Sequence, residues 1–440
     1  MHTQPSQKTA VTTARGLLAL SPVVVFLLCY MAVSLILGDF YKMPVSVALL
    51  VASVWAVAVY RGRPLYERIE TFSQAAGHSN ILYMIWIFVL AGAFATLAKE
   101  IGSVEATVSL ALNVFPSGFI LPTLFFAACF ISFSIGTSVG TVVALTPLAV
   151  EIASVGGGDA NVPFFVAVIL GGAFFGDNLS FISDTTIAAT RSQGCAMSDK
   201  FKANAWIVIP AAVVTLGIYT VMGIDAPDMT GDPAADPWLM LPYILVIITA
   251  VIGINVSIVL TLGITAALAV GFAHGFSPID MAGFVGAGIN SMGELIIVTL
   301  LAAGMLGIIK AAGGINYLLD ILTRHVHGRR GAQAIISVLV GLVNLCTANN
   351  TVAIITVGSI SRSISERFGV DPRKTASLLD TASCIVQSVI PYGAQTLLAT
   401  SLAGVSPGAL FPYLYYPLIL TVSLALSIVF LYPRNLNARR

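Results

Sequence analysis

Apolar runs of some 18 residues or more recur along the chain from Leu17 to Leu431, the length a helix needs to cross a bilayer. Four spans are plain, near residues 17–38, 44–60, 81–98 and 106–130. Further apolar segments lie near 133–150, 162–190, 204–223, 239–262, 264–273, 282–309, 332–361, 376–404 and 411–432. Several are too long, or too broken by Gly, for a single straight helix. The pattern predicts an all-α polytopic membrane protein with about 10–12 spans, some of them discontinuous. The stretch from Gly16 to Gly38 is too long for a signal-peptide core and no A-x-A-like site follows it, so it reads as the first span.

Composition agrees with the pattern. Charged residues are 9% and hydrophobic ones 57% of 440, where a soluble domain carries about 25% charge. The expected partner surface is therefore the lipid bilayer of a cell membrane. A net charge of +1 gives no dense basic face for nucleic acid. The five cysteines include no C-x-x-C pair and mostly sit in apolar stretches, where Cys behaves as a small hydrophobe.

Positive charges set the orientation. Lys8/Arg15, Arg61/Arg63/Arg68, Arg191/Lys200/Lys202, Lys310/Arg324/Arg329/Arg330, Arg362/Arg367/Arg373/Lys374 and Arg434/Arg439/Arg440 hold 19 of the 21 basic residues, leaving Lys42 and Lys99 opposite. The loop 224–238 carries Asp225, Asp228, Asp232 and Asp236 without Lys or Arg. Both termini are expected in the cytoplasm and this loop outside. The division is then a cytoplasmic tail (1–15), a first transmembrane repeat (16–223), the acidic linker (224–238), a second repeat (239–433) and a second tail (434–440). Two halves of opposite orientation are what an inverted-repeat transporter requires. The segment 332–361, bracketed by basic clusters of one side, must enter and leave by the same face, as a re-entrant hairpin or a helix pair. The stretch Lys310 to Arg330 reads as an amphipathic helix lying at the cytoplasmic interface.

Each half has a polar interruption, Ser132 to Thr146 and Asn344 to Ser359, followed by a D-x-x-S element, Asp177 to Ser180 and Asp380 to Ser383. This placement suggests that Asp177 and Asp380 correspond.

An intramembrane carboxylate marks function by default. Asp177, Asp184, Glu294 and Asp380 fall in spans. Asp177 and Asp184 are seven apart, so a continuous helix would put them on one face, about 11 Å from each other. Asn178, Ser180, Ser183 and Thr185 lie among them, and Gly171, Gly172 and Gly176 stand just before, where they would let the helix break and expose carbonyls. These hard oxygen donors suit a small hard cation, so Na⁺ is expected at Asp177 and Asp184, with Asp380 a further candidate. Isolated Ser, Thr or Asn in a span commonly serves as interhelical glue, but two carboxylates within ten residues point to function. Gly136, Thr137, Ser138 and Thr141 in the first interruption could face substrate. In the second half so could Asn349, Asn350, Thr351, Ser383 and Gln387. No His lies in a span and no Lys or Arg falls at mid-membrane on this reading. Protons, if carried, must ride on carboxylates. Burial favours the neutral acid and a bound cation favours the anion, so one group can exchange Na⁺ for H⁺.

With these residues in hand, the chain resembles the NhaC family of sodium/proton antiporters. Phe133 to Thr141 (F-S-I-G-T-S-V-G-T) is similar to the family's GTS-x-GT element. Phe174 to Thr186 (F-F-G-D-N-L-S-F-I-S-D-T-T) resembles its FGD-x-x-SP-x-SDTT, with Phe181 where Pro is usual. Asn344 to Thr351 and Asp380 to Tyr392 match more loosely, with Tyr392 in place of a common Trp. The resemblance implies inverted repeats, two re-entrant hairpins and a shared midplane site. Relatives of the family also carry amino acids and small carboxylates, and the motif does not separate these substrates.

The expected function is thus Na⁺/H⁺ antiport by intramembrane carboxylates, with no cofactor beyond the transported ion. The alternative is a Na⁺- or H⁺-coupled carrier of an amino acid or a lactate- or malate-like carboxylate. Enzymes are disfavoured: no H-E-x-x-H occurs, and no His in a span could serve as a base. ATP-driven pumping lacks a G-x-x-x-x-G-K-[ST] loop. Large elevator-type members of this fold class are often dimers, so a homodimer is expected by analogy.

Overall fold

The computed structural model describes residues 13–37, 44–155, 161–181, 183–223, 232, 236–323 and 327–433. Lys8, Lys42, Asp225, Asp228, Arg324, most of the acidic linker, the first tail up to residue 12 and the tail from 434 lie outside them. The described residues are mostly helical, with no strand among them. The first half runs α1 (Thr13–Leu37), α2 (Val45–Val59), α3 (Leu65–Ala76), α4 (Ser79–Glu100), α5 (Ser103–Val114), α6 (Ile120–Ile135), α7 (Ser138–Val155), α8 (Val162–Leu179), α9 (Asp184–Gln193) and α10 (Met197–Gly223). The second half runs α11 (Leu241–Val251), α12 (Val256–Ala273), α13 (Pro278–Ser291), α14 (Gly293–Ala311), α15 (Gly314–Thr323), α16 (Gly328–Thr347), α17 (Asn350–Phe368), α18 (Pro372–Val389), α19 (Ala394–Ala403) and α20 (Tyr415–Val429).

Eight helical segments among the described residues are long and apolar enough to cross a membrane, and a bent pair ending in α20 adds a ninth. Four shorter apolar helices accompany them. Leu28, Val54, Trp86, Phe126, Val213 and Leu418 stand exposed on outer faces, where a soluble protein would carry charge. Lipid is the solvent for such faces. The chain is a multi-pass membrane protein.

The same order of elements occurs twice around the centre. In the first half α8 packs against both α6 and α7; in the second α18 packs against both α16 and α17. The short helices α9 and α19 cross over, α9 onto α17 and α18, and α19 onto α7 and α8. Small residues permit the tight crossings. A Cβ on Gly172 of α8 would come within 2.8 Å of the Phe125 carbonyl oxygen, and Gly92 and Gly288 face each other where α4 meets α13.

The segment 332–361 is a helix pair, α16 and α17, turning at Ala348. The stretch 310–330 does contain an amphipathic helix, α15. Its apolar residues Ile315, Tyr317 and Leu319 are buried against α1, α14 and α16 rather than left for the lipid interface.

Candidate functional site

The α6–α7 turn forms because Gly136 takes left-handed backbone angles (φ 75°, ψ 18°), with its N–H donating to Ser132 O at 2.9 Å. A residue without Cβ adopts that conformation freely. The next helix, α7, begins at Ser138, whose N–H donates to Asp177 Oδ1 at 2.9 Å while its Oγ donates to Oδ2. Asp177, buried on α8, therefore sits at the positive end of α7 and accepts two bonds in its ionised form.

The α16–α17 turn repeats this shape with other residues. Ala348 holds left-handed angles (φ 47°, ψ 23°) and donates its N–H to Asn344 O at 2.8 Å. A non-glycine residue there stores roughly 1 kcal/mol or more of strain, a feature that clusters at functional sites. Asn349 caps α17, its Oδ1 accepting from Val352 N at 2.9 Å. Gln387 Nε2 donates to Ala348 O at 3.1 Å, and Asn344 Nδ2 donates to Ser383 O at 2.8 Å.

A continuous helix through Asp177 and Asp184 does not form. After α8 the chain is extended at Ser180 (ψ 138°) and Ser183 (ψ 144°) before α9 begins at Asp184. The break is held by side chains that satisfy the freed main chain. Ser183 Oγ donates to Asp177 O at 2.9 Å, Thr185 Oγ1 to the same oxygen at 3.2 Å, and Thr186 Oγ1 to Ser180 O at 2.8 Å. Asp184, the first residue of α9, is exposed. The two acids still meet, but across a cavity rather than along one face.

That cavity, of about 530 Å³, is lined by both hairpin turns at once. Gly136, Thr137 and Ser138 contribute from one turn, and Asn349, Asn350 and Thr351 from the other. Asp177, Asp184, Thr185, Gln387 and Gln395 come from the broken helices, with Asn80, Tyr83 and Asn255 beside them. Its described lining has two carboxylates and no Lys, Arg or His. Other expected site residues stand behind this wall. Asn178 is buried with its Nδ2 on Phe174 O at 2.9 Å; Thr141 Oγ1 donates back to Thr137 O; Ser383 Oγ donates to Asp380 O at 2.9 Å. Glu294 lines a separate cavity of about 390 Å³, where Ser46 Oγ donates to its Oε1 at 3.1 Å.

Asp380 does not correspond to Asp177. Asp177 stands three residues before the cap of α8, Ser180, and Gln387 stands three before the cap of α18, Ile390. Each reaches the turn of its own hairpin across 39 residues, Asp177 to Ser138 and Gln387 to Ala348. Gln387 is therefore the positional partner of Asp177, and the shared D-x-x-S letters mislead. Asp380 lies two turns deeper, ion-paired with Lys200 of α10.

Lys200, in the first turn of α10, is a buried cation that the sequence reading did not single out. Counted with a loop cluster from the sequence, its side chain is 1% exposed, and that of Asp380 is 0%. Lys374 is a second buried amine, donating to Ser427 Oγ and to Tyr432 O. Gln395, Asn204, Ser377 and Thr381 were also missed. Gln395 Nε2 donates to Ser138 Oγ at 3.0 Å; Asn204 Nδ2 donates to Asp380 Oδ2 at 3.0 Å, and its Oδ1 accepts from Ser377 and Thr381. The signal for Gln395 was its position two residues past Gly393, just beyond the Pro391 break.

A family model described as the Na⁺/H⁺ antiporter family matches residues 6–224 and 237–433. The chain belongs to that family. It is 24% identical to the malate-2H⁺/Na⁺-lactate antiporter of Bacillus subtilis, covering 93% of this chain and 94% of that one. It is 27% identical to the Na⁺/H⁺ antiporter NhaC of Alkalihalophilus pseudofirmus, over 79% and 81% of the two chains. The arginine/ornithine antiporter ArcD of Halobacterium salinarum is 21% identical over 68% and 69%. Among solved structures, the YdaH transporter of Alcanivorax borkumensis matches with a TM-score of 0.41 at 14% identity, over 83% and 88% of the two chains. The family membership and the all-helical membrane architecture stand together.

Proposed function

We propose that this chain is a secondary active transporter that exchanges Na⁺ for H⁺, with Asp177 as the group that carries each in turn. The observation behind this is a buried carboxylate in the wall of a cavity that both hairpin turns share and that holds no described cationic side chain. Such a cavity attracts cations, and its oxygens are of the hard type Na⁺ prefers. Ionised, Asp177 accepts both Ser138 donors; a cation in the cavity balances its charge. A proton on the carboxylate removes that charge and releases the cation. Because the same atoms serve both, binding of one excludes the other, and net exchange follows when the cavity opens alternately to the two sides. Both termini are assigned to the cytoplasm on the distribution of Lys and Arg. The work done is transport, without covalent chemistry.

A second reading is coupled transport of an organic solute. The volume of about 530 Å³ exceeds what a bare cation needs and falls in the range of small-molecule sites. Asn349, Asn350, Gln387 and Gln395 could orient a polar solute there, and the two relatives named for malate, lactate, arginine and ornithine favour this reading.

Flux in proteoliposomes separates them. Antiport predicts that a Na⁺ jump dissipates a preset pH gradient without organic solute, and that Asp177→Asn abolishes the response. A response that appears only after a carboxylate or amino acid is supplied would replace the first reading with the second.

A further inference from the structure

We propose that Lys200 is a tethered cation that permanently occupies a second cation site, the one around Asp380. One Na⁺ then binds per chain, at Asp177. The inference rests on the Na⁺ reading for Asp177 and adds to it the fate of the other buried acid.

The geometry around Lys200 Nζ is that of a coordinated ion. An ammonium has three N–H donors, and all three are used. They go to Asn178 O at 2.6 Å, to Thr186 Oγ1 at 2.7 Å and to the Asp380 carboxylate. A main-chain carbonyl, a hydroxyl and a carboxylate form the kind of hard-oxygen set that a protein offers a group I or II cation. The carbonyl is present because α8 ends there; the last carbonyls of a helix have no partner within it. Thr186 belongs to α9, beyond the break. The amine therefore bridges both sides of the broken span and joins them to α18 of the other half.

The rest of the shell is neutral and fixed. Asn204, one turn along α10 from Lys200, donates to Asn178 O at 2.8 Å and to Asp380 Oδ2 at 3.0 Å. Ser377 and Thr381 of α18 hold Asn204 in turn. Asp177 differs in two respects that matter. The partners of its carboxylate, Ser138 N–H and Oγ–H, are neutral, and its wall opens on the cavity. Of two buried acids beside one helix break, the first is left for a mobile cation and the second has a cation built into the chain. An ion pair broken from one side leaves an uncompensated buried charge, so removing the amine should create a demand for a free cation at Asp380.

The test is equilibrium binding of radioactive Na⁺ to purified protein, read with thermal stability in Na⁺ against choline. Wild type should bind one Na⁺ per chain, and Asp177→Asn none. Lys200→Ala added to Asp177→Asn should restore one. Lys200→Ala alone should be destabilised in choline and recover in Na⁺, and Lys200→Ala with Asp380→Asn should lose that dependence. Two Na⁺ per wild-type chain, one of them lost in Asp380→Asn, would overturn the proposal. So would a folded Asp177→Asn/Lys200→Ala protein that binds none. Failure of Lys200→Ala to accumulate in Na⁺-rich medium, while its Asp380→Asn double variant accumulates, would overturn it too. If wild type binds no Na⁺ but the Lys200→Ala proteins do, the antiport reading fails and the tethered cation stands.

Discussion

Gln395 of α19 donates from Nε2 to Ser138 Oγ at 3.0 Å, so a side chain of the second half fixes the hydroxyl that holds Asp177 in the first. Gln387 donates in turn to Gln395 Oε1 at 3.0 Å and to Ala348 O at 3.1 Å. A chain of hydrogen bonds thus runs from one hairpin turn to the other through Gln387, Gln395 and Ser138, ending on the carboxylate. Gln395→Leu should cost about 1–3 kcal/mol, the penalty for buried polar groups left without partners. It should also slow exchange more than it weakens Na⁺ binding, because the link ties the two hairpin turns together without itself contacting the cation. Thermal unfolding and flux on the same preparation check this, and an unchanged pair of values would remove the link from the mechanism.

The two cavity acids should behave differently. Asp177→Asn removes the charge from a buried site, and exchange should drop to the level of liposomes without protein. Asp184 is exposed at the start of α9, where water screens its pull on a cation well below that of a buried carboxylate. Asp184→Asn should then raise the apparent KM for Na⁺ by less than about tenfold and leave the maximal rate near wild type. A full loss with Asp184→Asn and a mild effect with Asp177→Asn would reverse the assignment of roles.

Much of the framework was legible because hydropathy reports burial in lipid directly. The hairpin turns were visible as polar interruptions at Gly136 and Asn349. A break beside Asp177 was expected from Gly171, Gly172 and Gly176, but it falls after them: Ser180 to Ser183 contains no Pro or Gly, and what holds the helix open is a set of local bonds from Ser183, Thr185 and Thr186. Asp380 was misplaced because four letters resemble Asp177 to Ser180, while position is set by distance from the helix end. For Lys200 the register did carry information. It shares a face with Asn204, Ile207 and Ala211, all buried, whereas Lys202 points outward.

Close packing of α8 on α6 should be intolerant of a single methyl group. A Cβ on Gly172 would lie 2.8 Å from Phe125 O and 3.0 Å from Cys129 N, main-chain atoms that cannot turn aside. Gly172→Ala should destabilise by about 1–3 kcal/mol, the usual cost of overpacking, seen as a lowered unfolding temperature. Gly217 on α10 has nothing within 4 Å of a built Cβ, so Gly217→Ala is the matched control and should leave that temperature unchanged or slightly raised.

A pH-dependent contribution lies away from the spans, where His274 at the end of α12 meets Asp236. His274 Nε2 is 2.8 Å from Asp236 Oδ2 and Nδ1 is 2.8 Å from Val270 O. Both ring nitrogens thus face acceptors, which suits the doubly protonated imidazolium. The hydrogen bond to Asp236 raises the histidine from its usual 6.5, and the bond from His274 lowers the carboxylate from its usual 3.8. A raised basic group stabilises the fold below its unfolded value and loses that effect as pH climbs through the folded one. A lowered acid stabilises above its unfolded value and loses the effect as pH falls. Together the pair contributes most between about pH 4 and 6.5. The difference in unfolding temperature between wild type and His274→Gln should peak in that window and shrink on either side. A difference that stays flat from acid to alkaline pH would mean the contact is not ionic.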